Sequence, residues 1–509
     1  MPLRPELPDY IPLTNPATAK SKRQEDEEAR GFKPGSSRSA QPAASPASVI
    51  TPPVTTATPL PVTAVHTQPA VPTQRGKLIR RAHTISYIGL FLFTAVLYFR
   101  PYELFPALSS LDKLAFVLAI VTLIIFLPSQ LVSEGNLTFR PREVNLVFLL
   151  CLAGLISIIT AISPAEAWKE FNDVFIKAVL MFIVLVNVLR SKTRLRWLIY
   201  LAFSVTILLS INAIRDYRSG NFLVEGDRIK GLLGGMFGNP NDLALHFVTM
   251  APIAVGLMFA SKRIIGKLIF AAVAILITMA NVVTFSRGGF LGLLATAVVL
   301  IWKLGRNHRL ATSIIAPLCL AVFVAVAPGN YGKRLLSIFV RDLDTMGTAN
   351  TRQEILNRSI LVSLRYPITG IGMGNFHTVS LHETVTHNAF TQVSAEMGTA
   401  ALVIYFMFLT APIRRLRRVE RQASDERLKF YYYMSIGLQA SLIGYMVSAF
   451  FASVAYQWYA YYLVGYGVSL WRLFEAEANV LAEESSPAET VAKPDIYAAF
   501  QPEVVSPSP

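Results

Sequence analysis

The sequence between residues 352 and 398 sets the organisation of this chain. Residues 352–376 read R-Q-E-I-L-N-R-S-I-L-V-S-L-R-Y-P-I-T-G-I-G-M-G-N-F, and residues 386–398 read T-H-N-A-F-T-Q-V-S-A-E-M-G. The capping-box pattern T-R-Q-E at 351–354 predicts a short helix that starts at Arg352 and carries one apolar face. Pro367 should end this helix, and the glycines that follow should form a turn. We therefore expect a polar, helix-bearing hairpin between two membrane spans.

The composition indicates a membrane protein. The 509-residue chain is 53% hydrophobic and 16% charged, and its apolar residues occur in blocks of about 16–22 residues, near the length of a membrane-crossing helix. The net charge of +15 is concentrated between these blocks, so membrane orientation explains it better than binding to nucleic acid. Cys151 and Cys319 both lie in apolar runs, and we expect neither a disulfide nor a metal site from them.

The apolar blocks divide the chain into three parts. Residues 1–76 are rich in Pro, Ala, Thr and Ser without apolar periodicity, so we expect a disordered cytoplasmic tail, with a docking role as the alternative. We expect residues 77–475 to form the transmembrane domain and residues 476–509 to form a second disordered cytoplasmic tail. The predicted fold class is all-α, a polytopic integral membrane protein with about twelve transmembrane helices. The predicted spans lie near 84–99, 108–127, 144–162, 174–189, 197–214, 242–260, 268–285, 289–304, 310–327, 391–412, 430–451 and 458–472.

Clusters of Lys and Arg mark one set of loops. Six connections carry such clusters, and all six fall on one side of the membrane if there are twelve spans. We expect that side to be cytoplasmic, with both termini inside the cell. The two long loops at 215–241 and 328–390 then lie on the outer side.

Three arginines are candidate anion-binding residues on that outer side. Arg287, within T-F-S-R-G-G, is either a lipid-contacting arginine at a helix end or a fixed cation aimed at an anionic substrate. Arg228 is either a solvated loop charge or part of an anion site at the next helix N-terminus. Arg352 lies in the long hairpin, whose translocation depends little on charge. The residues alone leave these alternatives open.

A glycine-rich segment precedes N-P-N-D at 239–242, which predicts a turn and a helix N-cap. Asn241 is therefore either a capping residue or a member of the anion site. The string G-I-G-M-G at 370–374 resembles a nucleotide-binding loop only superficially, since no βαβ unit surrounds it.

His387 and Asn388 open the tenth predicted span. Glu383 is expected one helical turn before His387, and Glu396 lies further along the same segment. A neutral imidazole on the outer face can accept a proton from an attacking hydroxyl, whereas the alternative is an interfacial anchor. The histidines at 377, 382 and 387 are five residues apart, a spacing that does not favour a metal site on a helix.

Together these motifs, in this order, resemble the O-antigen ligase and Wzy-type polysaccharide polymerase superfamily of the bacterial inner membrane. The features are the N-P-N turn, S-R-G at 286–288 between two spans, and a large outer loop that ends in His387 and Asn388. The resemblance covers about residues 84–472 and is sharpest at 228–290 and 352–412.

The resemblance implies a membrane glycosyltransferase that works on the periplasmic side in O-antigen or exopolysaccharide synthesis. Its donor would be a glycan on undecaprenyl pyrophosphate, and its acceptor lipid A–core or another lipid-linked glycan. No metal, nucleotide or other cofactor is implied, because the donor is already activated. By position, Arg228, Arg287 and Arg352 would bind the pyrophosphate and His387 would deprotonate the acceptor. Asn241, Asn388 and Glu383 would have supporting roles.

Two other functions stay open from the sequence. A polytopic transporter, similar to relatives labelled as bicarbonate carriers, also suits twelve spans, although the spans contain little interior charge. A structural partner in an envelope assembly is the third possibility. Within the enzyme hypothesis, the sequence does not choose between a ligase and a polymerase.

Overall fold

The computed structural model describes residues 74–111, 113–222, 224, 228–229, 231–305, 348–380 and 383–485. These residues are largely helical and contain no strand, only an isolated bridge between Val224 and Arg228. The predicted all-α class is confirmed. The helices are α1 (Gln74–Phe99), α2 (Pro101–Leu104), α3 (Leu114–Glu134), α4 (Arg142–Ile159), α5 (Pro164–Glu170), α6 (Ile176–Val188), α7 (Lys192–Arg218), α8 (Pro240–Ala260), α9 (Ile264–Val283), α10 (Arg287–Leu304), α11 (Thr348–Arg365), α12 (Phe376–Val379), α13 (Ala389–Met397), α14 (Thr399–Gln422), α15 (Lys429–Ala449) and α16 (Trp458–Ser485).

Among the described residues, nine helical segments are long and apolar enough to cross a membrane. They are His83–Leu104, Ala107–Glu134, Arg142–Ile159, Pro164–Val188, Lys192–Arg218, Pro240–Ala260, Ile264–Val283, Arg287–Leu304 and Thr399–Gln422. These segments correspond to the first eight predicted spans and the tenth. The predicted ninth span, 310–327, lies outside the described residues. α15 and α16 stand where the eleventh and twelfth spans were predicted.

The helices α8, α15 and α16 form the centre of the bundle. α8 packs against α9, α10 and α15, and residues 458–470 of α16 are buried without exception. Glycines allow α8 and α15 to approach closely, since a Cβ on Gly437 would lie 2.8 Å from the Pro252 carbonyl oxygen. By contrast, α9 turns a row of exposed aliphatic side chains outward, as expected for a helix that faces lipid.

Two predicted helix boundaries are wrong. α11 begins at Thr348, before the predicted start at Arg352, although it ends at Arg365 just before Pro367, as expected. The tenth span begins at Thr399 instead of residue 391, because Gly398, with φ of 90°, separates the short α13 from α14. A Cβ at Gly398 would lie 2.2 Å from the Ile368 carbonyl oxygen, so only glycine fits this corner.

The ends of the described region also differ from the predicted tails. α1 begins at Gln74, and α16 continues to Ser485, so residues 476–485 are helical where a disordered tail was expected. The rest of both predicted tails lies outside the described residues.

Candidate functional site

Asn239 fixes the start of α8. Its side chain accepts a hydrogen bond from the Asn241 backbone N–H at 2.8 Å, and Pro240 occupies the first turn of the helix. The N-cap predicted in this stretch is thus confirmed, and the capping residue is Asn239. The carboxamide oxygen of Asn241 instead accepts hydrogen bonds from Arg228 and Ser286.

Arg228 is buried beside this cap, with 4% of its surface exposed. Its backbone pairs with that of Val224 through two N–H to carbonyl hydrogen bonds, each of 3.0 Å. The guanidinium donates from Nη2 to Asn241 Oδ1 at 2.8 Å and from Nε to the Thr284 carbonyl oxygen at 3.3 Å. Both acceptors are uncharged oxygens, and the two bonds orient the guanidinium.

Ser286 joins the α9–α10 turn to the same network. Its hydroxyl accepts from the Gly289 N–H at 3.1 Å as the N-cap of α10, and donates to Asn241 Oδ1 at 3.0 Å. The preceding Phe285 has φ of 53°, a strained value for an aromatic residue. Arg287 follows as the first residue of α10 and is partly exposed. The turn therefore sets Arg287 next to the residue that contacts Asn241.

The glycines after Arg287 serve helix packing. A Cβ at Gly288 would lie 2.7 Å from Phe451 Cβ, and one at Gly292 would lie 2.0 Å from Ser448 Oγ. Ser448 also donates to the Gly288 carbonyl oxygen at 3.1 Å. α15 and the residues that follow it therefore approach these glycines closely.

Arg352 reaches the site from α11. This helix is held by a small apolar cluster in which Ile355 and Val362 pack with residues of the glycine turn and of α13. The glycine turn itself pairs with α13, since the Ile371 N–H donates to the Ala395 carbonyl oxygen at 2.9 Å. The glycine-rich string at 370–374 thus works as a corner that fixes α11 relative to α13.

His387 precedes α13 in a strained conformation, with φ of 50°. Its backbone N–H donates to Ser453 Oγ at 2.8 Å, and the same hydroxyl lies 3.0 Å from Thr386 Oγ1. Asn388 caps α13 by accepting from the N–H groups of Phe390 (2.9 Å) and Thr391 (3.2 Å). Two contacts therefore fix the backbone of His387 from either side: a serine from the α15–α16 connection and the helix cap formed by the next residue.

A cavity of about 200 Å³ opens where these elements meet. Its walls include Arg228, Asn241, Arg352 and His387, four of the seven site residues predicted from the sequence. The remaining lining residues are Val224, Asn239, Pro240, Thr351, Ile355 and Thr384. The cavity thus sets two guanidinium groups and one imidazole around one space, an arrangement suited to an anionic group beside a hydroxyl that loses a proton.

Three predicted site residues do not line this cavity. Arg287 lies next to Ser286, and Asn388 lies behind His387 with 2% of its surface exposed. The expectation that Glu383 stands one helical turn before His387 is wrong, because residues 384–388 are not helical and α13 starts only at Ala389. Glu383 is exposed and has φ of 54°.

Two residues near the site, Ser453 and Glu396, were not predicted as site residues from the sequence. Ser453 accepts from the His387 N–H. Glu396, on α13 outside the nine candidate spans, is 3% exposed and accepts from Tyr456 Oη at 2.8 Å. Burial raises the pKa of this carboxyl to about 7. The sequence did contain a signal for Glu396, because a glutamate inside an apolar run is unusual. Nothing in the local pattern distinguishes Ser453 from other serines.

Comparison with known proteins gives one family. Residues 270–406 match the family model described as O-antigen ligase. The matched range contains Arg287, Arg352 and His387, while Arg228 and Asn241 precede it. No curated protein matches the sequence of this chain. The family match supports a bacterial membrane enzyme of the ligase or polymerase type, and it confirms the family resemblance seen in the sequence.

Proposed function

This chain belongs, through residues 270–406, to the O-antigen ligase and Wzy-type polymerase superfamily, and on that premise we propose that it joins a lipid-linked glycan to an acceptor. The donor is a glycan on undecaprenyl pyrophosphate, and the acceptor is lipid A–core or another lipid-linked glycan. The transfer takes place on the periplasmic face and requires neither metal nor nucleotide. The observation that carries the proposal is the single cavity shared by Arg228, Arg352 and His387.

In this mechanism the two cavity arginines bind the pyrophosphate. The acceptor hydroxyl oxygen bonds to the anomeric carbon of the donor sugar while the bond from that carbon to the pyrophosphate oxygen breaks. The leaving pyrophosphate gains negative charge, which guanidinium groups stabilise, and their planar fork suits two phosphate oxygens at once. Arg287, one residue from the Asn241 network, contacts the same anion from the edge of the cavity.

His387 accepts the proton that the acceptor hydroxyl loses. Its strained backbone and its bond to Ser453 hold the ring at the cavity wall. The volume of about 200 Å³ is below the 300–1,000 Å³ of typical small-molecule pockets, so the cavity holds the reacting centre and leaves the glycan and the polyprenyl chain outside.

The test is transfer from purified undecaprenyl-pyrophosphate glycan by the full-length protein in detergent, with a metal chelator present and no nucleotide added. We expect Arg228→Gln, Arg352→Gln and His387→Gln each to lower the rate by about 10²–10³-fold, on the scale of losing one transition-state donor or a general base. Arg365→Gln on the same helix and His377→Gln in the same loop are matched controls, because neither side chain lines the cavity.

Rates at the wild-type level in both Arg228→Gln and His387→Gln would contradict the mechanism. Ligase and polymerase are then separated by the acceptor: a deletion strain that loses long-chain lipopolysaccharide points to a ligase, whereas one that loses only the polymerised glycan points to a polymerase.

A further inference from the structure

A second cavity, of about 580 Å³, lies at the opposite end of the bundle from the first. It is bounded by the start of α7, by the turn between α8 and α9, and by the start of α15. Six of its lining side chains are basic and one, Glu426, is acidic. The basic residues are Lys192, Arg196, Lys262, Arg263, Arg427 and Lys429.

The helices themselves show that the two cavities are separate. α8 begins beside Asn241 at the first cavity and ends at Ala260, which lines the second. At 1.5 Å per residue, its 21 residues span about 30 Å, close to the thickness of a bilayer core. The second cavity therefore faces the other leaflet, the one that the basic loops predict to be cytoplasmic.

Half of the positive charge in this cavity is balanced by carboxylates. Lys192 lies 3.7 Å from Glu477, Lys429 lies 2.8 Å from Glu426, and Arg427 contacts Asp425 at 3.1 Å and Glu484 at 3.3 Å. Such exposed pairs contribute little stability and exchange readily.

The other three cations have no carboxylate partner in the part of the chain that the structure describes. They are Arg196, Lys262 and Arg263. Arg196 lies over the Phe430 ring at 4.3 Å, and its buried Nε finds no hydrogen-bond acceptor among the described residues. A buried donor without an acceptor is costly, so this cavity is suited to a ligand that carries anionic oxygens.

The cavity also adjoins an apolar surface. Ile265 and Phe270 on α9 line it, and the same helix exposes Ile264, Leu268 and Ile269 with more than half of each side chain uncovered (65%, 63% and 55%). A ligand bound here has its anionic part against the cations and a hydrocarbon surface directly alongside. This apolar surface favours a lipid over a soluble anion, because only a lipid carries hydrocarbon chains that can cover it.

We propose that this cavity binds the phosphate headgroup of an anionic phospholipid from the leaflet opposite the candidate site, with the acyl chains lying along α9. Arg196, Lys262 and Arg263 contact the phosphate. The site is distinct from the glycan-transfer cavity and does not depend on the function proposed for it.

The experiment compares lipid binding by the full-length protein, purified and delipidated in detergent. Phosphatidylglycerol and phosphatidylcholine with identical acyl chains are titrated, and bound lipid is counted by native mass spectrometry. We expect retained phosphatidylglycerol on the wild type and an apparent affinity at least tenfold lower for the triple variant Arg196→Gln, Lys262→Gln, Arg263→Gln. The triple variant Arg414→Gln, Arg417→Gln, Arg418→Gln removes three exposed charges that do not line the cavity, and should bind like the wild type.

Equal binding of the two lipids, or unchanged phosphatidylglycerol binding by the cavity variant, would overturn the proposal. Competition by inorganic phosphate at concentrations similar to the lipid would likewise overturn it, in favour of a soluble anion. If the triple variant does not fold, the double variant Lys262→Gln, Arg263→Gln gives the same test, because both side chains are exposed and removing them leaves the packing intact.

Discussion

The Asn241 carboxamide oxygen accepts a hydrogen bond from the Arg228 guanidinium at 2.8 Å. The same oxygen accepts from Ser286 at 3.0 Å, so one atom joins the loop before α8 to the turn before α10. Both of the turns that precede these helices are therefore fixed relative to one another. Asn241 is neutral, so this contact places no negative charge beside the guanidinium.

The hydrogen bond between Arg228 and Asn241 predicts how a negative charge at position 241 should change donor binding. Asn241→Asp keeps an oxygen acceptor in the same place but sets a carboxylate against the guanidinium, which should weaken the attraction of Arg228 for an anionic donor. We expect a rise of about tenfold or more in the KM for the lipid-linked donor, measured by initial rates. Asn357→Asp adds the same charge on an exposed position of α11 and should leave KM unchanged. Equal donor KM values for wild type and Asn241→Asp would show that Arg228 does not contact the donor.

Much of the architecture follows from local sequence. Apolar block length and loop charge locate each of the nine described spans, although individual ends differ by up to about ten residues. The N-cap within N-P-N-D at 239–242 follows from the local pattern alone. The end of α11 at Arg365 also follows from local sequence, because Pro367 disfavours helical geometry in the residue before it.

Other features depend on contacts distant in sequence. The break at Gly398 cannot be seen in an apolar run that continues on both sides of it, since the need for glycine comes from the Ile368 carbonyl oxygen 30 residues earlier. The hydrogen bond from the His387 N–H to Ser453 joins residues 66 positions apart, and no local pattern predicts it. The sequence therefore predicted Arg228, Arg352 and His387 as site residues, but it did not show that they share a cavity.

Ser453 is predicted to act as a positioning residue for His387. Ser453→Ala removes the acceptor of the His387 N–H, so the strained backbone at φ of 50° is free to relax and the ring to leave the cavity wall. We expect kcat to fall by about tenfold, with the KM for the donor unchanged because the arginines are untouched. Ser453→Thr retains the hydroxyl and should restore most of the rate. A parallel loss of folded protein in the membrane, with kcat unchanged per folded molecule, would assign Ser453 a purely structural role.

The two polar atoms of the Asn388 side chain have different roles, which two substitutions can test separately. Its Oδ1 caps α13, while its buried Nδ2 has no hydrogen-bond partner among the described residues. Asn388→Ala removes the cap and should lower the free energy of unfolding by about 1 kcal/mol. Asn388→Asp keeps the capping oxygen, so its melting temperature in detergent should stay close to that of the wild type.

The same pair of variants tests whether the Nδ2 group contacts substrate. If it does, Asn388→Asp transfers glycan more slowly than the wild type although it is equally stable, because the donor atom is gone. Wild-type transfer by Asn388→Asp would limit this residue to its cap.

Glu396 makes stability depend on pH. The carboxyl is buried on α13, where it accepts from Tyr456 Oη at 2.8 Å and lies in the electrostatic field of Glu170. Burial raises its pKa from 4.5 to about 7, so the folded protein holds the proton more tightly than the unfolded chain does. Folding therefore takes up a proton between pH 4.5 and 7, and this contribution to stability is complete below pH 4.5 and is lost as the pH rises to about 7.

Glu396→Gln should abolish this pH dependence, because a carboxamide is neutral at every pH and its oxygen can still accept from Tyr456. At 1.36 kcal/mol per pKa unit, the full loss in the wild type is about 3 kcal/mol. We expect the variant to gain melting temperature relative to the wild type between pH 5 and pH 8, measured by thermal unfolding in detergent. Glu383→Gln, at an exposed position before α13, should show the wild-type slope. Parallel melting curves for wild type and Glu396→Gln across this range would mean that the carboxylate is already charged at pH 5, and hence that water reaches it in the folded protein.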